Sequence, residues 1–429
     1  MNDDLKILIN DFFERDLSII KSRELSLPDS PDRIITVTGA RRVGKTSLIL
    51  HHINKLRGSV NSNRLLYINF ENDRLFPFTL EKAQQIIDTY YEMFPANKSS
   101  KVYFFFDEIQ NIPEWPLFIR RLYDTEKCCI FLTGSSSRLL SREIATSLRG
   151  RTLSFELFPL SFREYLSWGN IDYTRQITSA LKCRIIHTFD NYISASALPE
   201  AAFENDKAVR QSVLHEYLNM VVYSDLIERY NLTQHTLVRY FIKFLAVNIS
   251  NPISINKLYN DFKSQGMQLS KNSLYDFFTW LEESYIFYNV GIYSTNLREQ
   301  QRNPRKVYTV DIGLKLLMDF HADKGRLLEN IIYLDLRRSQ KEIYYTKGRQ
   351  EVDFLYHEEA GTSLINVCYD QTSRETFNRE LSGLFEAMDR YGISRAVLIT
   401  AFDKHETIRG TSQKEVEIIP AWQWLLHLT

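Results

Sequence analysis

Gly39-Ala40-Arg41-Arg42-Val43-Gly44-Lys45-Thr46 is the stretch that decides the fold. It fits the phosphate-loop pattern G-x-x-x-x-G-K-[ST] in full. The glycines let backbone amides curl around a phosphate chain without steric conflict. Lys45 is long enough to reach terminal phosphates, and the Thr46 hydroxyl suits Mg²⁺. The flanks make the pattern specific. Arg33–Thr38 (RIITVT) reads as a buried strand, and Thr46–Leu56 (TSLILHHINKL) has helical apolar spacing. Strand, glycine loop and helix bring the free amides and positive end of the helix onto an anion. The nucleotide-binding set is therefore Gly39, Ala40, Arg41, Arg42, Val43, Gly44, Lys45, Thr46 and Ser47.

A phosphate loop needs a metal-holding acid at the end of a neighbouring strand. Residues 101–110 (KVYFFFDEIQ) supply one. The run Val102–Phe106 reads as a strand covered on both faces, and ligands of an open α/β sheet sit at the carboxyl ends of its strands. Asp107 is then expected to hold Mg²⁺ together with Thr46, and Glu108 to act as general base. A third strand, Cys128–Thr133, ends at Gly134-Ser135. Thr133 and Ser135 are candidates to hydrogen-bond the γ-phosphate or the attacking water. Leu65–Phe70 is a fourth strand. Arg138, Arg142, Arg149 and Arg151 stand against one acid, Glu143, and Arg149 and Arg151 are the candidates for stabilising transition-state charge. A solvated basic helix face is the alternative for that segment.

These pieces, taken in order, resemble the archaeal-type members of the AAA ATPase superfamily, related to the signal-transducing STAND NTPases. The resemblance rests on Gly39–Thr46, Phe106–Gln110 (FDEIQ), Leu132–Ser137 (LTGSSS), Leu148–Arg151 (LRGR) and Phe158–Tyr165 (FPLSFREY), and covers about the first 165 residues. It implies ATP and Mg²⁺ as cofactors, with Lys45, Thr46, Asp107 and Glu108 in the usual ATPase roles.

The rest of the chain reads as further domains. Residues 166–231 are expected to form a helical connector or lid. In 232–312, helices near His235–Val247, Ile255–Ser264 and Ser270–Glu283 precede strands at Tyr285–Tyr293 and Arg305–Val310, the order of a winged-helix domain. The segment Arg298–Lys306 carries four basic residues, and such a wing suits phosphates; Arg302 and Arg305 are the residues to neutralise. The third helix has Lys271 against Asp276, Glu282 and Glu283, a poor composition for reading bases, so DNA contact and a packing role both stay open.

Residues 313–429 resemble the PD-(D/E)xK nuclease-like fold, and the whole chain resembles proteins joining an AAA ATPase to such a C-terminal domain. The carrying residues are Tyr308–Leu314, Leu327–Asn330 (LLEN) and Gly348–Phe354 (GRQEVDF). That fold's chemistry needs an acid on one strand and acid-x-Lys on the next. Asp353 fills the first place, but Asn366 and Cys368 stand in the second, so cleavage is expected to be lost unless another residue migrates into place.

Composition bounds the rest. Lys+Arg and Asp+Glu are both 53, so no global basic field advertises nucleic acid. Cys128, Cys129, Cys183 and Cys368 show neither metal-ligand spacing nor a disulfide framework, and the first two suit buried thiols. No run approaches the roughly 18 apolar residues of a membrane span, and the acidic start is a poor secretory signal, so a cytoplasmic setting without membrane is expected. The expected fold class is α/β: a P-loop parallel sheet, a winged-helix domain, then a restriction-endonuclease-like α/β domain. The expected function is an ATP-binding protein hydrolysing ATP as a switch or motor. The alternatives are an ATP-regulated DNA-binding protein, an ATP-dependent nuclease, or a scaffold that forms homo-oligomers or engages a protein partner.

Overall fold

The structure, a computed structural model, describes residues 3–134, 148, 150–267, 269–296, 298, 300, 304–319, 323–359, 361–369, 374–402, 404–410 and 413–428. It divides into two compact units, Met1–Leu157 and Phe158–Thr429.

Unit 1 is a parallel sheet with helices. Its strands are β1 (Ile34–Thr38), β2 (Leu65–Asn69), β3 (Val102–Asp107), β4 (Cys128–Thr133) and β5 (Thr152–Glu156). The sheet order is β2-β3-β4-β1-β5, and every pairing is parallel. β1 and β3 are buried along their whole length, as expected of central strands covered on both faces. The helices are α1 (Asp3–Glu14), α2 (Lys45–Leu56), α3 (Leu80–Met93) and α4 (Trp115–Thr125). They turn Leu5, Ile9, Ile86, Tyr90, Phe118 and Ile119 onto a core with Leu66, Ile68, Phe104, Phe106, Ile130 and Leu132. The sequence reading found four of the strands. The fifth alternates polar and apolar residues, as the half-exposed sheet edge requires.

Unit 2 begins with α5 (Phe162–Trp168), whose start is a capping box between Ser161 and Glu164, followed by α6 (Ser179–Tyr192) and α7 (Lys207–Met220). α7 continues as a π-helical stretch, Val221–Glu228. Next come α8 (His235–Val247), α9 (Ile255–Ser264) and α10 (Lys271–Glu283). An antiparallel sheet follows, built from β6 (Pro252–Ile253), β7 (Phe287–Val290) and β8 (Arg305–Thr309) in the order β6-β8-β7. Phe241, Phe262, Phe277 and Phe278 meet in an aromatic cluster, so the apolar face of α10 is core.

The remaining elements are α11 (Ile312–Met318), α12 (Lys324–Arg338), β9 (Ile343–Lys347), β10 (Glu351–Glu358), β11 (Gly361–Cys368), α13 (Arg374–Tyr391), β12 (Arg395–Thr400), β13 (Glu406–Arg409), β14 (Glu415–Pro420) and α14 (Ala421–Leu425). The six strands form a mixed sheet in the order β13-β14-β12-β11-β10-β9. β12 lies parallel to both its neighbours, while the flanking pairs are antiparallel hairpins. The charged edge strand β13 has no counterpart in the sequence reading. Its pattern, Glu-Thr-Ile-Arg, carries too little apolar signal.

All four cysteines are free thiols. Burial pushes the Cys128 thiol up to about 12, which suits an inert structural residue. Among the described residues no helix is long and apolar enough to cross a membrane.

Candidate functional site

β1 ends at Thr38, and the chain must turn at once into the loop. Gly39 does this at φ 134°, with no room for a side chain: a Cβ there would meet the Leu157 carbonyl oxygen at 2.2 Å. The Leu157 amide in turn donates to the Thr38 carbonyl at 2.8 Å, pinning the turn from the β5 side. Gly44 precedes α2 at φ 95° and has no side chain with which to cap it. No side chain at this position caps the first turn of α2, the end of a helix at which an anion is favoured. We expect Gly39→Ala to lower the unfolding free energy by at least about 2 kcal/mol in urea titrations, because the clash is with backbone. Gly150→Ala is the control. At φ 74° with nothing within 4 Å of a new Cβ, it adds left-handed strain alone, about 1 kcal/mol.

Lys45 is 5 % exposed, and its ammonium donates to the carbonyls of Gly39 (3.1 Å) and Ala40 (2.9 Å). The charge is therefore held over the loop's own concavity. Arg23 approaches from the segment before β1 and donates to the Val43 carbonyl at 2.6 Å.

The acid end of the site is equally constrained. Asp107 is fully buried at the end of β3. One of its oxygens accepts from Thr46 Oγ1 (2.7 Å) and from Tyr67 OH (2.8 Å); the other accepts from Thr133 Oγ1. Thr133 Oγ1 also accepts from the Glu108 amide at 2.9 Å. The sheet order explains this convergence. β4 lies between β1 and β3, with Thr133 beside Val37 and Leu132 beside Phe106, so the ends of all three strands share one edge. Burial, then the Asp107 charge, raise the Tyr67 phenol far above its ordinary value, so it stays a donor. Phe12 of α1 stacks on the Tyr67 ring at 4.8 Å.

Glu108 sits in the left-handed region at φ 51°, so the chain turns sharply after Asp107. Its carboxylate accepts from Gln110 Nε2. Burial, then the neighbouring Glu108, raise the Glu71 carboxyl, while Arg41 pulls it down.

A hydroxyl and a carboxylate oxygen are the hard donors Mg²⁺ prefers, and Mg²⁺ usually takes one or two protein carboxylates and fills its shell with phosphate and water. The pair Thr46 and Asp107 fits that demand. Among the described residues no group of three or more His, Cys, Asp or Glu side chains forms an all-protein metal cage.

The structure thus brings together Lys45, Thr46, Asp107, Glu108 and Thr133. Arg151 lies elsewhere. It precedes β5, pairs with Asp124 at 2.6 Å and covers the Tyr123 ring. Its carbonyl accepts from Ile34, at the opposite end of β1 from Gly39, about 16 Å away by strand rise. An in-chain role for Arg151 at the phosphates is therefore not supported by its position. Arg149 and Ser135 lie outside the described residues. Arg23 and Tyr67 escaped the sequence reading. The one signal for Tyr67 was a polar tip inside an apolar strand.

In unit 2, Asn366 is buried. Its carbonyl oxygen accepts from the Asp353 amide (2.8 Å) and its amide donates to Glu380 (2.8 Å). Cys368 is buried at 2 % exposure. Of the basic wing segment, Arg302 lies outside the described residues and Arg305 is half-buried. Lys306 is corrected from a candidate phosphate contact to a buried residue at 1 % exposure, because three carboxylates draw it inward.

A family model described as an AAA domain matches residues 31–166, and one described as a domain of unknown function (DUF8612) matches residues 186–323. The uncharacterized protein MJ1544 of Methanocaldococcus jannaschii is 31 % identical over 439 residues, covering 99 % of this chain and 96 % of that protein. An uncharacterized protein of Haemophilus influenzae is 26 % identical, covering 92 % and 95 % respectively. Among solved structures, the Aeropyrum pernix ORC2 protein (ADPNP-ADP complexes) aligns over 78 % of this chain and 94 % of its own. The identity is 12 % and the TM-score 0.38.

Proposed function

We propose that this chain, which belongs to the family of the M. jannaschii protein MJ1544 and carries an AAA domain, binds ATP with Mg²⁺ and hydrolyses it as a conformational switch. The observation that carries the reading is the Thr46–Asp107–Thr133 hydrogen-bonded set beside a loop-bound Lys45.

In this reading the loop amides and Lys45 take the β- and γ-phosphates, and the ammonium exchanges its carbonyl partners for phosphate oxygens. Thr46 and Asp107 would hold Mg²⁺, which neutralises charge on the phosphates when bound. Glu108 orients a water and takes its proton as that water attacks the γ-phosphorus. The bond to the β–γ bridging oxygen breaks, and ADP and phosphate leave. Thr133 keeps Asp107 and the Glu108 backbone in register, and Tyr67 fixes the Asp107 carboxylate from its other side. We read unit 2 as the responding part, with winged-helix and nuclease-like elements. Nothing on α10 favours base reading over packing: Leu274, Phe277, Phe278 and Leu281 are buried, and Lys271 lies over the Tyr259 ring.

Thr133→Val is nearly isosteric yet leaves a buried acceptor on Asp107 and the Glu108 amide unpaired. We expect about tenfold slower ATP hydrolysis with ATP affinity within about threefold, and recovery in Thr133→Ser. Steady-state rates with ATP and with GTP, with and without DNA, test the reading as a whole. Hydrolysis by the parent chain that is indifferent to Mg²⁺ would count against it.

A further inference from the structure

Unit 2 holds a cavity of about 520 Å³ whose chemistry is unrelated to the nucleotide site. Its floor is a charged cluster drawn from three elements. Lys306 of β8 points its ammonium at Glu329 of α12 (2.9 Å) and at Glu351 and Asp353 of β10 (2.8 Å each). Lys324, Arg326, Arg379 and Glu380 line its walls.

An ammonium has three protons; here Glu329 and Asp353 accept hydrogen bonds from it, and Glu351 stands at ion-pair distance. Part of the remaining capacity of the acids is also committed. Tyr308 OH donates to the same Glu329 oxygen at 2.7 Å, and the Val367 amide donates to the second Asp353 oxygen at 2.9 Å. Glu380 is engaged by Asn366 and Arg379. The Asn366 carbonyl, the one atom that side chain has to offer a cation, is spent on the Asp353 amide. The carboxylates keep Lys306 protonated despite complete burial. One positive charge does not balance three carboxylates. The cost falls on Glu329, which burial and Asp353 push up to about 8.

We propose that the Lys306 ammonium is the resident cation of this cavity: it occupies the point where Glu329, Glu351 and Asp353 converge, so the intact chain takes no divalent ion there and cleaves no phosphodiester through it. The nuclease-like resemblance implies Mg²⁺ at such a cluster, and the residues present do not fit it. The cluster acts instead as a clamp, tying the three-stranded sheet through β8 to β10 and α12. This stands apart from the ATP reading.

The test is Mn²⁺ binding to the nucleotide-free full-length protein, followed by electron paramagnetic resonance of the free ion. The parent chain and Asp353→Asn are expected to bind Mn²⁺ identically. Lys306→Ala is expected to gain one ion with Kd on the order of 10⁻⁴ M, the range of loosely built oxygen sites. That gain should vanish in Lys306→Ala/Asp353→Asn. If Lys306→Ala does not fold alone, recovery of its thermal transition by Mn²⁺ or Ca²⁺ supports the proposal, and failure of both ions to restore it overturns it. Mn²⁺ bound by the parent and lost in Asp353→Asn overturns it as well. So does Asp353-dependent nicking of plasmid by the parent with Mn²⁺.

Discussion

Glu108→Gln will bind ATP as tightly as the parent and hydrolyse it at least about 100-fold more slowly. A positioned general base contributes about 10²–10⁴ in rate, and the amide keeps the shape of the carboxylate while losing its basicity. The neighbours argue that little else will change. Glu108 meets Thr133 through its backbone amide, and that contact does not depend on the side chain. Gln110 donates to the Glu108 carboxylate, and the new side chain still offers it an oxygen. Single-turnover hydrolysis beside equilibrium binding of ATP separates the two effects. A variant that turns over at the parent rate removes Glu108 from the mechanism and leaves the loop assignment intact.

Lys45→Ala will abolish measurable ATP binding at concentrations that saturate the parent. Each hydrogen bond to a charged group contributes about 1.5–3 kcal/mol, so losing two costs about 10²–10⁴ in affinity. Thermal unfolding gives a clean readout. A ligand at 100 times its Kd adds about 2.7 kcal/mol of stability, which is a shift of several degrees in the parent. The variant should show no shift with ATP and Mg²⁺. Its nucleotide-free transition should fall somewhat below the parent's, since the ammonium leaves behind two buried loop carbonyls. A parent-sized shift in Lys45→Ala would mean that ATP binds somewhere other than the loop.

The parts of this site that are local in sequence were legible in sequence. A β-branched apolar run, two glycines and a helical spacing follow one another within 24 residues of Arg33, and each constrains its neighbour. Asp107 and Glu108 were legible for the same reason, as charges ending an apolar strand. What was not legible depends on which strands are neighbours. Thr133 reaches Asp107 because β4 is inserted between β1 and β3, and no composition signal states that order. Tyr67 is fixed by the pairing of β2 with β3, which sets Asn69 beside Asp107. Arg151 looked like a phosphate contact because it is a cation after the third strand. The chain direction of β5 puts it at the wrong end of the sheet. Lys306 is the sharpest case. The residues just before it are mostly basic and polar, yet partners 23, 45 and 47 residues onward bury it. Tertiary closure overrode a local pattern that favoured solvent.

The measurement that bears most directly on the account is calorimetric titration of the parent chain with a non-hydrolysable ATP analogue, first with Mg²⁺ and then with a chelator. The account predicts one analogue per chain, weaker binding without the metal, and no heat from Lys45→Ala. Absence of binding by the parent, or binding that neither the chelator nor the lysine substitution alters, would contradict it.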